Sequence, residues 1–257
     1  MKKTYFILLF LLVGSIVQAQ RPLVDEWEAS IGYLNFQGDY GQRGHFSTTL
    51  GNTGGMIGAK IYFSFLDSDR TNCYSCKHIK FNLALNTGYS TLNFNRAYED
   101  VNSNVLTYTK IRAFNGQVYF MDLAGNVEYH IKDLRNIDFF SNSLFNKMDP
   151  YVGLGIGVLF YGVDVDSELG NYEKNPEILP SPFIGGVYSE PGIVPSVNIE
   201  VGLRYQITQE LQLNFNNKWM YFMSDKVDGV VPNPEMVDNL YNDWLFSPSL
   251  GVVIFIW

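Results

Sequence analysis

The sequence predicts an all-β fold, a transmembrane antiparallel up-and-down β-barrel of eight strands. Three observations carry that expectation: long segments that alternate with a period of two, an export segment at the N-terminus, and an aromatic residue at the C-terminus. The alternation is clearest from Ser196 to Met223. Val197, Ile199, Val201, Leu203, Tyr205 and Ile207 alternate with Ser196, Asn198, Glu200, Arg204 and Gln206. After the short link Thr208-Gln209-Glu210, Leu211, Leu213, Phe215, Trp219, Tyr221 and Met223 alternate with Gln212, Asn214, Asn216 and Lys218, and only Asn217 breaks the apolar row. A period of two means strands, and a link this short means a hairpin. A soluble sandwich alternates in a similar way, so parity alone leaves the solvent open; the two ends of the chain favour a bilayer.

Met1 to Ala19 reads as a signal peptide, with Lys2 and Lys3 as its charged region and an apolar stretch from Phe6 to Val17. Val17-Gln18-Ala19 suits a cut that leaves Gln20 first, and the absence of a Cys at that point argues against a lipoprotein anchor. No later run approaches the roughly 18 apolar residues of a spanning helix. The most apolar, Val152 to Val163, is interrupted by Gly153, Gly155, Gly157 and Gly162. The closing Gly251-Val-Val-Ile-Phe-Ile-Trp257 resembles the aromatic-ended signal by which barrels are handed to the insertion machinery, with Phe255 and Trp257 as its aromatic residues.

Aromatic residues are abundant, with 17 Tyr and 19 Phe, while charged residues make up 17% of the chain, as expected when one strand face meets lipid. The formal charge of -8 becomes more negative once Lys2 and Lys3 are removed, which argues against nucleic acid as a partner. Residues 20–257 suit one large β-domain, since no internal linker suggests a split.

Strands are expected near 26–38, 54–65, 79–95, 116–131, 149–163, 196–207, 210–223 and 243–257, each long enough to cross a bilayer at a tilt. An even number places both termini on the periplasmic side. In the second strand Ile57, Ala59, Ile61 and Phe63 face lipid and Lys60 faces inward. In the third, Ile79, Phe81, Leu83, Leu85 and Tyr89 face out, with Lys80, Asn82 and Asn86 inside. In the fourth, Tyr119, Met121, Leu123, Val127, Tyr129 and Ile131 face out, with Asp122, Asn126, Glu128 and His130 inside. The eighth is apolar on both parities, which leaves its facing open. Connections near 39–53, 96–115, 164–195 and 224–242 face outside. The third holds Pro176, Pro180, Pro182, Pro191 and Pro195, which exclude it from a sheet interior and suit an extended cap over the mouth. Turns near 66–78 and 132–148 are long for the periplasmic side and are available to touch a partner there.

The inward charges Glu28, Lys60, Lys80, Asp122, Glu128, Glu200, Arg204 and Lys218 carry both signs, and an eight-stranded barrel has room for side chains and little else. Pairing is the simplest expectation, because unpaired buried charge is costly; an ion or proton path is the alternative. Gly153, Gly155 and Gly157 share one parity and make room for bulky neighbours. Cys73-Tyr-Ser-Cys76 suits a local disulfide, with metal or redox roles as alternatives; a redox pair heads a helix, of which the sequence gives no sign.

No catalytic arrangement recurs. His45, His78 and His130 lie in separate segments, and His45 near Asp39 is the sole hint of rim chemistry. The acidic motifs Asp39-Tyr-Gly-Gln-Arg43, Ser224-Asp-Lys-Val-Asp-Gly229 and Asn242-Asp-Trp244 fit plain turns or a calcium site without EF-hand spacing. Neither an enzyme activity nor a cofactor is expected.

Gly38-Asp39-Tyr40-Gly41-Gln42-Arg43, followed by Gly51-Asn-Thr-Gly54, resembles a small outer-membrane barrel family of bacteria that use type IX secretion and gliding motility. Tyr221-Phe-Met-Ser-Asp225, Val227-Asp-Gly229, Asn233-Pro234 and Asn242-Asp-Trp-Leu245 extend the likeness. More distantly the layout is similar to the PorG-like barrels associated with the periplasmic ring of that system. The resemblance implies an accessory or scaffold role, with outer-membrane lipid, the insertion machinery and periplasmic or outer-membrane complex subunits as partners. It brings no catalytic residues. A small-ligand or ion-binding or transport barrel, with its site at the extracellular mouth, is the alternative.

Overall fold

A strand with one apolar and one polar face buries its backbone groups in a bilayer only when the sheet closes on itself. The computed structural model is such a closed sheet, β1-β2-β3-β4-β5-β6-β7-β8, with every neighbouring pair antiparallel. The structure describes residues 23–41, 44–64, 74–94, 105–134, 143–231 and 241–255. The expected signal peptide, Met1 to Ala19, and Trp257 lie outside them.

The strands are β1 (Leu23–Gln37), β2 (Thr53–Ser64), β3 (Ile79–Asn93), β4 (Phe114–His130), β5 (Met148–Ser167), β6 (Gly192–Gln206), β7 (Leu211–Phe222) and β8 (Trp244–Phe255). All eight fall where the alternation placed them. β5 is 20 residues long, well beyond the roughly 9–11 that cross a bilayer, so its paired wall continues above the lipid toward the outer loops. β6 likewise starts at Gly192. Pro195 therefore lies within the sheet, opposite Val158, and corrects the expectation that the Pro-rich segment stays out of it. Its carbonyl still accepts a bond from Met223 N–H, because proline lacks only the donor.

Strict alternation of burial along β4 sets Tyr119, Met121, Leu123, Val127 and Tyr129 outside and Asp122, Asn126, Glu128 and His130 inside. β2 and β3 follow their expected parities. The facing of β8 is now fixed: Leu245, Ser247, Ser249, Gly251 and Val253 point inward and Leu250, Val252 and Ile254 outward. Both parities read as apolar because the inner side of β8 packs partly against other apolar groups.

Among the described residues three short α-helices interrupt the connections: α1 (Tyr74–His78), α2 (Val105–Ala113) and α3 (Leu144–Lys147). α1 corrects the expectation of no helix beside the cysteine pair; five residues are too few for a 3.6-residue period to show. It packs against the outer wall of β4, where the Tyr74 and Tyr129 hydroxyls lie 2.6 Å apart and the His78 ring stacks on Tyr129.

Candidate functional site

The inward parity is not uniform along the strands, and that gradient divides the interior into two layers. Toward the outer side the inward residues are Leu34 and Phe36 of β1, Met56 of β2, Leu92 of β3, Val118 and Phe120 of β4, Leu159 and Tyr161 of β5 and Met220 and Phe222 of β7. Toward the periplasm they are mainly polar: charged and amide side chains with Tyr62, Tyr151, His130 and Ser196 among them. The apolar layer is finished by the loops. Phe183 reaches in from the β5–β6 loop and stacks on Phe114, which in turn stacks on Tyr40 from the β1–β2 loop. Leu179 from the same Pro-rich loop, and Val227 and Val230 from the β7–β8 loop, join the cluster. The Pro-rich segment caps the mouth as expected, through 3-10 turns at Pro176–Ile178 and Ser181–Phe183 instead of one extended run.

In the periplasmic layer the candidate charges meet. Lys60 Nζ lies 2.5 Å from Glu200 and 3.4 Å from Glu128. Lys218 Nζ is 2.9 Å from the other Glu200 oxygen. Arg204 spans Glu26 at 2.6 Å and Glu128 at 3.0 Å, and Lys80 also binds Glu26. Carboxylates outnumber cations here, and neutral donors carry the surplus. Glu28 accepts from Tyr62 Oη at 2.5 Å and from Asn214 at 3.0 Å. Asp122 accepts from Ser196 at 2.7 Å and Asn86 at 3.3 Å. His130 Nδ1 lies 2.6 Å from Asp149. Paired and hydrogen-bonded in this way, buried ions are tolerated without a solvent path.

Glycines supply the space. Across β4–β5–β6 the ladder sets Gly153 between Glu128 and Glu200, and Gly155 between Asn126 and Asn198. A Cβ on Gly153 would stand 3.3 Å from Glu200 and 3.4 Å from Glu128. The expectation that these glycines make room inside the barrel is met.

All eight predicted lumen charges are buried, and all lie in the periplasmic layer or at its upper border. Four further participants escape a reading of the sequence. Glu26 shares the parity of Glu28 but stands at the end of the strand expected from the sequence, which the structure extends to Leu23. Tyr62 and Tyr151 read as aromatics yet turn their hydroxyls inward, to Glu28 and Asn214. Asp149 falls at an expected turn boundary, although it belongs to β5. The apolar layer escapes it too; its signal is the change from Lys218 to Met220 and Phe222 along a single parity.

The acidic loop motifs converge elsewhere, at the outer rim. Asp243 accepts the backbone N–H groups of Val227 and Asp228 at 3.0 and 3.1 Å. Asp228 accepts those of Val230 at 2.9 Å and Asp39 at 2.6 Å. Both carboxylates are fully buried, so these side chains work as loop clasps facing backbone donors. Asn52 adds to the clasp by donating to the Tyr40 carbonyl at 2.6 Å and accepting from Asn93 N–H at 2.9 Å. Burial, together with nearby Asp228 and Asp39, pushes the Tyr40 hydroxyl well above the usual tyrosine range, and its oxygen has no hydrogen-bond partner among the described residues. His45 is exposed, and its backbone carbonyl ties the loop to Thr48 and Thr49. Cys73 lies outside the described residues, and Cys76 falls in α1.

No family model matches the chain, and no curated protein matches it by sequence. Among solved structures it is similar to Neisserial surface protein A, with 10% identity over 90% of this chain and 97% of that one and a TM-score of 0.44. It is also similar to OprG from Pseudomonas aeruginosa, with 10% identity over 91% and 97% and a TM-score of 0.44. A major outer membrane protein from Thermus thermophilus gives 12% identity over 90% and 99%, again with a TM-score of 0.44. The physical requirement is met by the chain itself: an apolar outer face surrounds a closed wall that satisfies its own backbone and holds its polar groups inside. The chain is an outer-membrane β-barrel.

Proposed function

We propose that this barrel works by contact, as a non-enzymatic accessory or scaffold component of an envelope complex such as the type IX secretion or gliding machinery. One observation supports it above the others: the interior is filled at two levels, by the aromatic plug under the outer loops and by the ion-paired layer beneath it. A filled eight-stranded interior favours surfaces over conduction. The surfaces available are the outer loops, of which those after β1 and β7 are joined by the Asp228 clasp, and the long connections at the periplasmic end. The type IX association rests on the motifs around Asp39 and Asp228, which the outer-rim clasp brings together. A ligand site at the mouth has less support, because Phe183, Phe114 and Tyr40 fill that position.

Crosslinking in intact outer membranes, followed by affinity purification of the full chain, tests this reading. Stoichiometric envelope proteins should co-purify, and the pure protein in liposomes should pass no more solute than empty vesicles. Solute flux or hydrolysis by the pure protein, with no stoichiometric partner, overturns it.

A further inference from the structure

One outward row of the wall departs from its neighbours. At the height of the outer aromatic belt, the ladder runs Tyr33, Gly55, Tyr89, Tyr119 and Gly162 across β1 to β5. Tyr33, Tyr89 and Tyr119 are exposed to the extent of 48%, 41% and 48%, as rings at a membrane interface are. The two glycines leave gaps one side chain wide, and the gaps differ. A Cβ on Gly162 would lie 3.2 Å from the Tyr119 ring, so that ring already covers the gap. A Cβ on Gly55 would meet nothing closer than the Gly32 carbonyl at 3.9 Å. Tyr89 stacks on Tyr119, centroids 6.2 Å apart, and so leaves Gly55 uncovered.

The result is a groove of about 430 Å³ over Gly55, with Ile31, Ile57 and Thr87 below it and Tyr89 and Tyr119 along one side. Thr87 donates its hydroxyl hydrogen to the Phe120 carbonyl at 3.0 Å, so it has no donor left to offer an occupant. We infer that this groove seats one acyl chain of an outer-leaflet lipid, lying down the wall with its upper end between Tyr33 and Tyr89. The groove opens onto the apolar band and is continuous with the lipid interface. It faces the upper half of that band, because Gly55 is the third residue of β2 after the outer loop. Left empty, its lining would forfeit dispersion contacts, and water gains little where polar partners are lacking. A slot one side chain wide, posted by two rings, matches a flexible hydrocarbon chain better than a second protein surface.

Paramagnetic NMR tests the assignment. The full mature chain is placed in nanodiscs of dimyristoylphosphatidylcholine doped with a phosphatidylcholine that carries a nitroxide in mid-chain. Ile199 points outward on another wall, seven residues from the inner end of β6, as Ile57 is from the inner end of β2, and serves as the control at matching depth. The methyl signals of Ile31 and Ile57 should broaden more than that of Ile199, and Gly55→Phe should remove the excess while leaving Ile199 unchanged. Open space at Gly55 allows the substitution, Gly55→Leu is a second filler, and the comparison within the wild-type protein stands without either. Equal broadening at the three isoleucines overturns the inference. So does a wild-type dimer in sedimentation that Gly55→Phe dissociates, since the occupant is then a second copy of this chain.

Discussion

The carboxylate of Asp228 accepts the backbone N–H of Asp39 at 2.6 Å, which joins the loop after β1 to the loop after β7 beside the β1–β8 seam at the outer mouth. The contact explains Gly38, because a Cβ there would fall 2.3 Å from the same Asp228 oxygen. Two of the short motifs on which the resemblance rests are therefore two sides of one clasp. Gly229 completes it with φ of +83°, a conformation that side-chain-bearing residues rarely adopt.

Replacing Asp228 by Ala should free the Asp39 and Val230 N–H groups inside a buried corner. Hydrogen bonds to a charged acceptor contribute about 1.5–3 kcal/mol each, so the outer loops should open locally while the strands hold. Amide hydrogen exchange should accelerate at Asp39 and Val230 and stay unchanged along β3 and β4. Uniform protection in the variant would rule the clasp out.

Tyr40→Phe should do the opposite. The Tyr40 ring packs in the apolar layer while its hydroxyl has no partner among the described residues, and an unsatisfied buried donor costs about 1–3 kcal/mol. Removing the oxygen and keeping the ring should stabilise the barrel by about 1 kcal/mol, read as a higher midpoint in guanidinium. A clear destabilisation would mean that the hydroxyl is satisfied in the membrane-bound protein.

Arg204→Met should be strongly destabilising. It leaves Glu26 and Glu128 without the cation that bridges them, and breaking a buried pair this way costs about 3–5 kcal/mol. Adding Glu26→Gln should recover part of the loss, since it removes one of the stranded charges. Planar-bilayer conductance should remain at background in both variants, because the apolar layer above Arg204 is untouched. A conducting Arg204→Met barrel would show that the charged layer, and not the aromatic plug, is the seal.

The barrel was legible because period two is a direct consequence of strand geometry and survives without any tertiary information. Inward and outward sets followed from it wherever one parity was apolar, as in β3 and β4. The layering was harder to see, since it lies in how polarity changes along a single parity and requires the strands to be aligned in height. Registers such as Glu128–Gly153–Glu200 supply that alignment, and no local pattern encodes them. The clasp was invisible for a related reason. Asp39 and Asp228 each look like ordinary turn residues, and only barrel closure brings them together.

Trp257 should matter for assembly and little afterwards. It follows β8, whose Phe255 pairs with Glu26 of β1 at the closing seam and whose ring lies toward Lys80 inside the barrel. Deleting Trp257 should lower the amount of inserted protein, while the inserted fraction keeps its heat-modifiable migration. Unchanged membrane levels would show that the terminal aromatic is dispensable for delivery.

Contact through the periplasmic end predicts a separation of surfaces. The roots of the two long turns belong to the wall: Lys77 reaches Asp133 at 4.0 Å, Lys132 lies over the Phe145 ring at 4.1 Å, and Asp149 holds His130 within the lumen. Deletions must therefore spare these residues and remove only the distal positions, 66–72 and 135–141. Each shortened protein should insert and migrate as a folded barrel, because none of the ladder pairs from Ile79 to Asn93 or from Met148 to Ser167 is touched. Each should also lose a periplasmic partner from the crosslinked complex. Trimming 169–178 at the outer face should leave that partner bound, since the β5–β6 loop lies at the opposite end of the wall. The asymmetry decides the matter: a partner lost equally from inner and outer deletions reports a damaged barrel, and a partner retained in all of them removes the periplasmic turns from the contact.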